Sequence, residues 1–157
     1  MVKNHAKKQG YIRSAFTMIE LVFVIVVLGI LAAVAIPRLA ASRDDAVIVK
    51  GKSQVSAIRS GIALQKSRRM LEGVTPFIPT ALDATAGRLF NYNDGNTSNI
   101  LEYPIFEETN KDGGWVKTAT ENTYEFRVMG IAHTFFYNKA TGTFNCIAGT
   151  YCNELTR

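Results

Sequence analysis

Phe16-Thr17-Met18-Ile19-Glu20-Leu21-Val22-Phe23-Val24-Ile25-Val26-Val27-Leu28-Gly29-Ile30-Leu31-Ala32-Ala33-Val34-Ala35-Ile36-Pro37 carries a single ionisable side chain, that of Glu20. At 1.5 Å per residue, about 21 such residues in a helix cross a bilayer core of roughly 30 Å. Lys3, Lys7, Lys8 and Arg13 precede the stretch with no acidic residue among them. Such a cluster holds its flank in the cytoplasm and sends the following domain outward.

A secretory signal peptide also has a basic start and an apolar run, and Ala33-Val34-Ala35 or Leu39-Ala40-Ala41 would serve as its cleavage site. Glu20 argues against that reading. A carboxylate within an apolar span costs on the order of 3 kcal/mol on insertion scales and marks function when it is kept. Removal of residues 1–15 would leave an ammonium group one helical turn from Glu20, and a buried carboxylate is tolerable when a cation pairs with it. In a stack of chains, that cation can come from a neighbour.

Ser14-Ala15-Phe16-Thr17-Met18-Ile19-Glu20-Leu21, with the apolar run to Ile36 and then Pro37, resembles the class III signal of type IV prepilins and pseudopilins. The resemblance covers about residues 10 to 45. It implies a cut between Ala15 and Phe16 by a membrane prepilin peptidase, N-methylation of Phe16, and retention of the apolar segment. The family usually has Gly before the cut, where this chain has Ala15. The resemblance also implies that Glu20 neutralises the N-terminal amine of an adjacent subunit, and that the helix is weakened near Gly29 and Pro37. Pro37 removes a backbone donor and crowds the preceding turn, so a kink or melted stretch is expected there.

The chain has 157 residues, 47% of them hydrophobic and 20% charged, which suits one folded domain beside the apolar segment. Of its net charge of +5, the leader supplies four, so the total is no sign of a nucleic-acid surface. Residues 38–69 hold Arg38, Arg43, Lys50, Lys52, Arg59, Lys66, Arg68 and Arg69 against Asp44 and Asp45, and the part beyond is acidic. Ile48, Gly51, Val55, Ile58 and Ile62 are spaced 3, 4, 3 and 4 apart and draw one helical stripe, with the basic residues mostly off it. A helix from Phe16 to Leu71 would be roughly 80 Å long.

Gly73, Pro76 and Pro79 stop that helix, and the polar tract 91–99 reads as an exposed loop. Tyr124, Phe126 and Val128 alternate with polar residues, and 131–137 is aromatic and β-branched, so two strands meet at Gly130. Residues 138–142 turn into a third strand near Phe144. The fold class is α+β: a long N-terminal helix packed against a small antiparallel sheet of three or four strands. The divisions are a leader at 1–15, an assembly helix at 16–37, an amphipathic helix at 38–72 and a periplasmic head at 73–157.

Cys146 and Cys152 are the two cysteines of a domain outside the cytoplasm, where disulfides persist, and they are expected to bond. Asp94-Gly95-Asn96-Thr97-Ser98 contains an N-x-Ser sequon with an acid two residues before Asn96, a candidate glycosylation site. Asp94 and Asp112 lie in glycine-containing loops without EF-hand spacing, so no metal and no cofactor are expected. Major pseudopilins of type II secretion commonly carry an acidic calcium loop near the C-terminus, where this chain has Cys146, Cys152 and Glu154. That departure favours a minor pseudopilin, a DNA-uptake pilin or a pilus subunit.

His5 lies in the leader and His133 stands alone in a predicted strand, so no catalytic set assembles and no enzyme is expected. His133 reads as structural. The resemblance implies a homo- or hetero-oligomeric filament of pilin-like subunits, drawn from the inner membrane by an assembly platform and a separate motor ATPase, for secretion or DNA uptake. Contact with DNA through Arg68 and Arg69 is possible in kind but not indicated by their pattern. The alternative is an uncut single-pass protein with a periplasmic binding domain, which would retain residues 1 to 15.

Overall fold

In the computed structural model, residues 16–92 and 99–157 are described; the leader with Ala15, and Asp94 and Asn96 of the sequon, lie outside them. The first element, α1, runs over Met18–Glu72. It opens on a capping box that the sequence reading overlooked: Thr17 and Glu20, three apart, satisfy each other's backbone N–H groups through their side chains. α1 is assigned helical through Gly29 and Pro37, so of the expected kink or melted stretch the melted form is absent. A proline deletes one rung of the hydrogen-bond ladder, and the rungs on either side suffice to keep the backbone helical. At its other end Gly73 adopts φ 69° and the Val74 N–H donates to the Arg69 carbonyl, a Schellman stop.

The chain divides into two compact units at Ala40/Ala41. The first is the apolar part of α1. In the second, β1 (Arg88–Leu89) and β2 (Ile105–Phe106) form a short antiparallel ribbon. β3 (Trp115–Lys117), β4 (Thr123–Val128), β5 (Ile131–Asn138) and β6 (Thr143–Ala148) form an antiparallel meander in that order, and α2 (Cys152–Thr156) closes the chain. This is the pilin-like α+β arrangement.

Met129 and Gly130 take positive φ of 51° and 73° between β4 and β5, the geometry of a type I′ hairpin turn. The side chain of Asn138 accepts the N–H groups of Ala140 and Thr141 and shapes the next turn. Gly51, Val55, Ile58 and Ile62 are buried and Ile48 is half-buried, so the stripe faces the sheet. Against it pack Phe90, Trp115, Tyr124, Phe126, Phe135 and Phe144, whose rings meet edge-on, tilted or stacked. The Trp115 indole N–H donates to the Gln54 side chain at 3.0 Å and ties sheet to helix.

Three of the basic residues in 38–69 reach into the fold. Lys50 donates to the Gly113 carbonyl at 2.7 Å, and Arg59 to the carbonyls of Phe144 and Thr156 at 2.9 and 3.0 Å. Arg69 is buried and donates to the Pro76 carbonyl at 2.7 Å. Their heads reach backbone carbonyls of the loop before β3, of β6, of α2 and of the linker after α1.

Candidate functional site

Among the described residues one helical segment, Met18–Ile36, is long and apolar enough to cross a membrane. Its mean hydropathy is 3.0 and none of it is buried. Exposed apolar surface on this scale is stable in lipid or against other apolar helices and not in water. Met18–Ile36 therefore offers apolar surface on every side, interrupted only by Glu20.

Glu20 is exposed on this segment, one turn from Phe16. Its Oε2 accepts the Thr17 N–H at 3.1 Å and the Thr17 hydroxyl at 3.0 Å. The carboxylate is held at the positive end of the helix macrodipole, and its second oxygen carries no hydrogen bond to any described residue. A capped helix start with an acceptor to spare is an arrangement that can take a cation approaching from Phe16's end of the helix.

At the other end of the chain Cys146 and Cys152 sit at disulfide distance, with Cα atoms 5.5 Å apart. His133 holds the loop between them from beneath. It is fully buried; Nδ1 lies 3.0 Å from the Ile131 carbonyl and Nε2 accepts the Tyr151 N–H at 3.1 Å, the pattern of the Nδ1–H tautomer. The Tyr151 hydroxyl donates to the Met129 sulfur at 3.2 Å. Sequence spacing could not show this, because 18 residues separate His133 from Tyr151.

Of the loop acids, Asp112 accepts the Gly130 N–H at 2.7 Å and serves the β4–β5 turn. Among the described residues no three His, Cys, Asp or Glu side chains converge as metal ligands. Asp83, which sequence reasoning passed over, joins three elements of the head. It accepts the Phe90 N–H at 2.8 Å and the Tyr124 hydroxyl at 2.7 Å, and pairs with Lys117 at 3.1 Å.

No family profile matches the chain, and no solved structure gives a significant match. Over 54 residues the chain is 37% identical to the type II secretion system core protein G of Pseudomonas aeruginosa. The match takes in 34% of this chain and spans 38% of that relative's length. The similarity is therefore partial, and the chain spans about two fifths of that relative's length.

Burial pushes the Tyr124 phenol far up, with the Asp83 carboxylate adding to it, and pushes Tyr137 up to about 12. Both phenols stay protonated in the fold while the unfolded chain releases their protons near pH 10. Between about pH 10 and 12 the unfolded state thus binds fewer protons, and stability falls as pH rises. Urea midpoints are expected to hold steady up to about pH 9.5 and to drop above pH 10. A midpoint unchanged at pH 11 would show these two hydroxyls to be solvated.

Proposed function

We propose that this chain is a structural subunit of a pilus-like filament, drawn from the inner membrane and stacked through the apolar part of α1. The observation that carries the reading is the wholly exposed Met18–Ile36 segment with one carboxylate at its start. The partial similarity to a secretion-system core protein supports the same reading and favours secretion over DNA uptake. The pilin-like fold of the second unit agrees with it.

In this mechanism a prepilin peptidase cuts between Ala15 and Phe16 in the cytoplasm, and Phe16 is N-methylated. The mature chain stays in the membrane with its head in the periplasm. When an assembly platform and its motor ATPase lift the subunit, Glu20 exchanges part of its local capping for the amine of a neighbouring Phe16. An ion pair formed between subunits in apolar surroundings sets the axial register, because an unpaired charge there is costly. The Cys146–Cys152 bond secures the C-terminal loop of the head.

Intact mass and N-terminal sequencing of the membrane-extracted protein from its native cell test this. The expected chain begins at Phe16 and carries one extra methyl group. A chain that retains residues 1 to 15 would establish an uncut membrane anchor with a periplasmic domain, and a start after Ala35 or Ala41 would establish a secreted protein. Either result overturns the filament.

A further inference from the structure

β3 is an outer strand of the meander, and its edge away from β4 is bridged at Trp115 alone among the described residues. There Glu107 and Trp115 form a single parallel bridge, and the Glu108 N–H donates to the Trp115 carbonyl at 3.0 Å. Beyond that point a cleft of about 420 Å³ opens between residues 117–119 on one side and residues 83–87 on the other. Its size falls within the roughly 300–1,000 Å³ of ligand pockets. A Cβ built on Gly87 in its wall would meet no atom within 4 Å, so that wall faces open space.

Along an antiparallel strand the N–H and carbonyl of one residue point to the same side, and the next residue's point to the other. The Thr118 N–H donates inward to the Thr123 carbonyl at 3.0 Å, so the backbone groups of Lys117 face outward, where that residue lines the cleft. The Lys117 N–H donates there to Oε1 of the exposed Glu107 at 3.1 Å. A side-chain carboxylate thus stands where the carbonyl of a neighbouring strand would stand. Edges in this state are templates for pairing with another chain. The charges of the cleft are also unequal. Asp83, whose side chain is 6% exposed, is paired with Lys117, whereas Glu107 joins no ion pair among the described residues.

We propose that this cleft takes an extended segment of another protein as an added strand on β3, with a lysine or arginine of that segment meeting Glu107. On docking, a carbonyl of the incoming strand accepts the Lys117 N–H, and an N–H of that strand donates to the Lys117 carbonyl. Glu107, displaced from the edge, turns its charge to the incoming basic side chain. Main-chain bonds supply the affinity and the charge pair supplies the selection. The cleft belongs wholly to the second compact unit, so this role is independent of the filament reading.

The probe is a fluorescein-labelled peptide of about seven residues, the length of an ordinary strand, with valine and threonine alternating around a central arginine. It is titrated into detergent-solubilised full-length protein and followed by anisotropy. It is expected to bind about tenfold more tightly than the same peptide with a central glutamate, and methylation of its backbone nitrogens is expected to abolish binding. Glu107→Gln keeps an acceptor for the Lys117 N–H and removes the charge. That variant is expected to hold a central-valine peptide within about twofold of the unaltered protein and to lose the preference for arginine over glutamate. Binding that survives backbone methylation, or that free arginine amide displaces at equal concentration, reduces the cleft to a cation pocket and overturns strand addition. Oligomers of the protein that the peptide dissociates make the occupant a second copy and overturn its assignment to another protein. An arginine preference that persists in Glu107→Gln, or no binding up to about 1 mM peptide, removes the proposal.

Discussion

Glu20→Val is expected to leave processing and membrane insertion intact while filament incorporation falls on the order of a hundredfold, the scale of leaving one partner of a buried ion pair alone. Glu20→Gln separates the capping role seen in the structure from the proposed pairing with a neighbouring subunit. Glutamine at the third helical position completes a capping box as glutamate does, so the helix start and its bond to Thr17 should survive. It has no charge to offer a neighbouring amine. Both variants are therefore expected to be cut, to insert and to fail in assembly, each as the sole copy, with cell-envelope and sheared fractions compared by immunoblot. If Glu20→Gln assembles normally and Glu20→Val does not, the residue works as a helix cap and the intersubunit pair is wrong.

The capping box shows why the sequence was legible in some places and opaque in others. A carboxylate in an apolar run is conspicuous, and it draws attention to a neutralising cation. The Thr17-x-x-Glu20 spacing is equally local, yet it was missed because the charge offered a longer-range explanation. The long helix, the 48–62 stripe and the hairpin at Gly130 were legible because each is a periodic or turn signal within a dozen residues. β1 and β2 are two residues each, too short for any period to register, and they exist because the Glu107 N–H finds the Gly87 carbonyl. Nothing in the spacing of Lys50, Arg59 and Arg69 reveals carbonyls 63 and 85 residues away or a linker folded back on the helix. His133 reads as structural from its isolation in the sequence, but its partner is a backbone N–H that only the fold brings near.

Glycine in the second half of α1 carries the other large effect. Gly61 lies where a Cβ would stand 2.1 Å from the Ile100 carbonyl oxygen, and Gly51 where it would stand 2.4 Å from the Phe126 ring. The two clashes differ in what can yield. At Gly51 the obstacles are side-chain ends of Phe126 and Leu155, which can rotate within a tight aromatic core at some cost. At Gly61 the obstacle is backbone, and that backbone is anchored: Ile100 is buried and the next residue donates its N–H to the Phe90 carbonyl at 2.9 Å. Helix propensity alone would make Gly→Ala favourable by up to about 1 kcal/mol. Gly61→Ala is nevertheless expected to cost about 3 kcal/mol net, the upper end of overpacking, because segment and helix must part along their whole contact. Gly51→Ala should cost less, and Ser67→Ala on the exposed face should change little. Trp115 is buried in the same core, so its fluorescence in detergent-solubilised full-length protein reports all three midpoints. A Gly61→Ala midpoint equal to that of the unaltered chain would mean that the segment around Ile100 does not seat on the helix. If the loss appears as expected, insertion through Met18–Ile36 should persist while the head fails, which separates anchoring from folding within one chain.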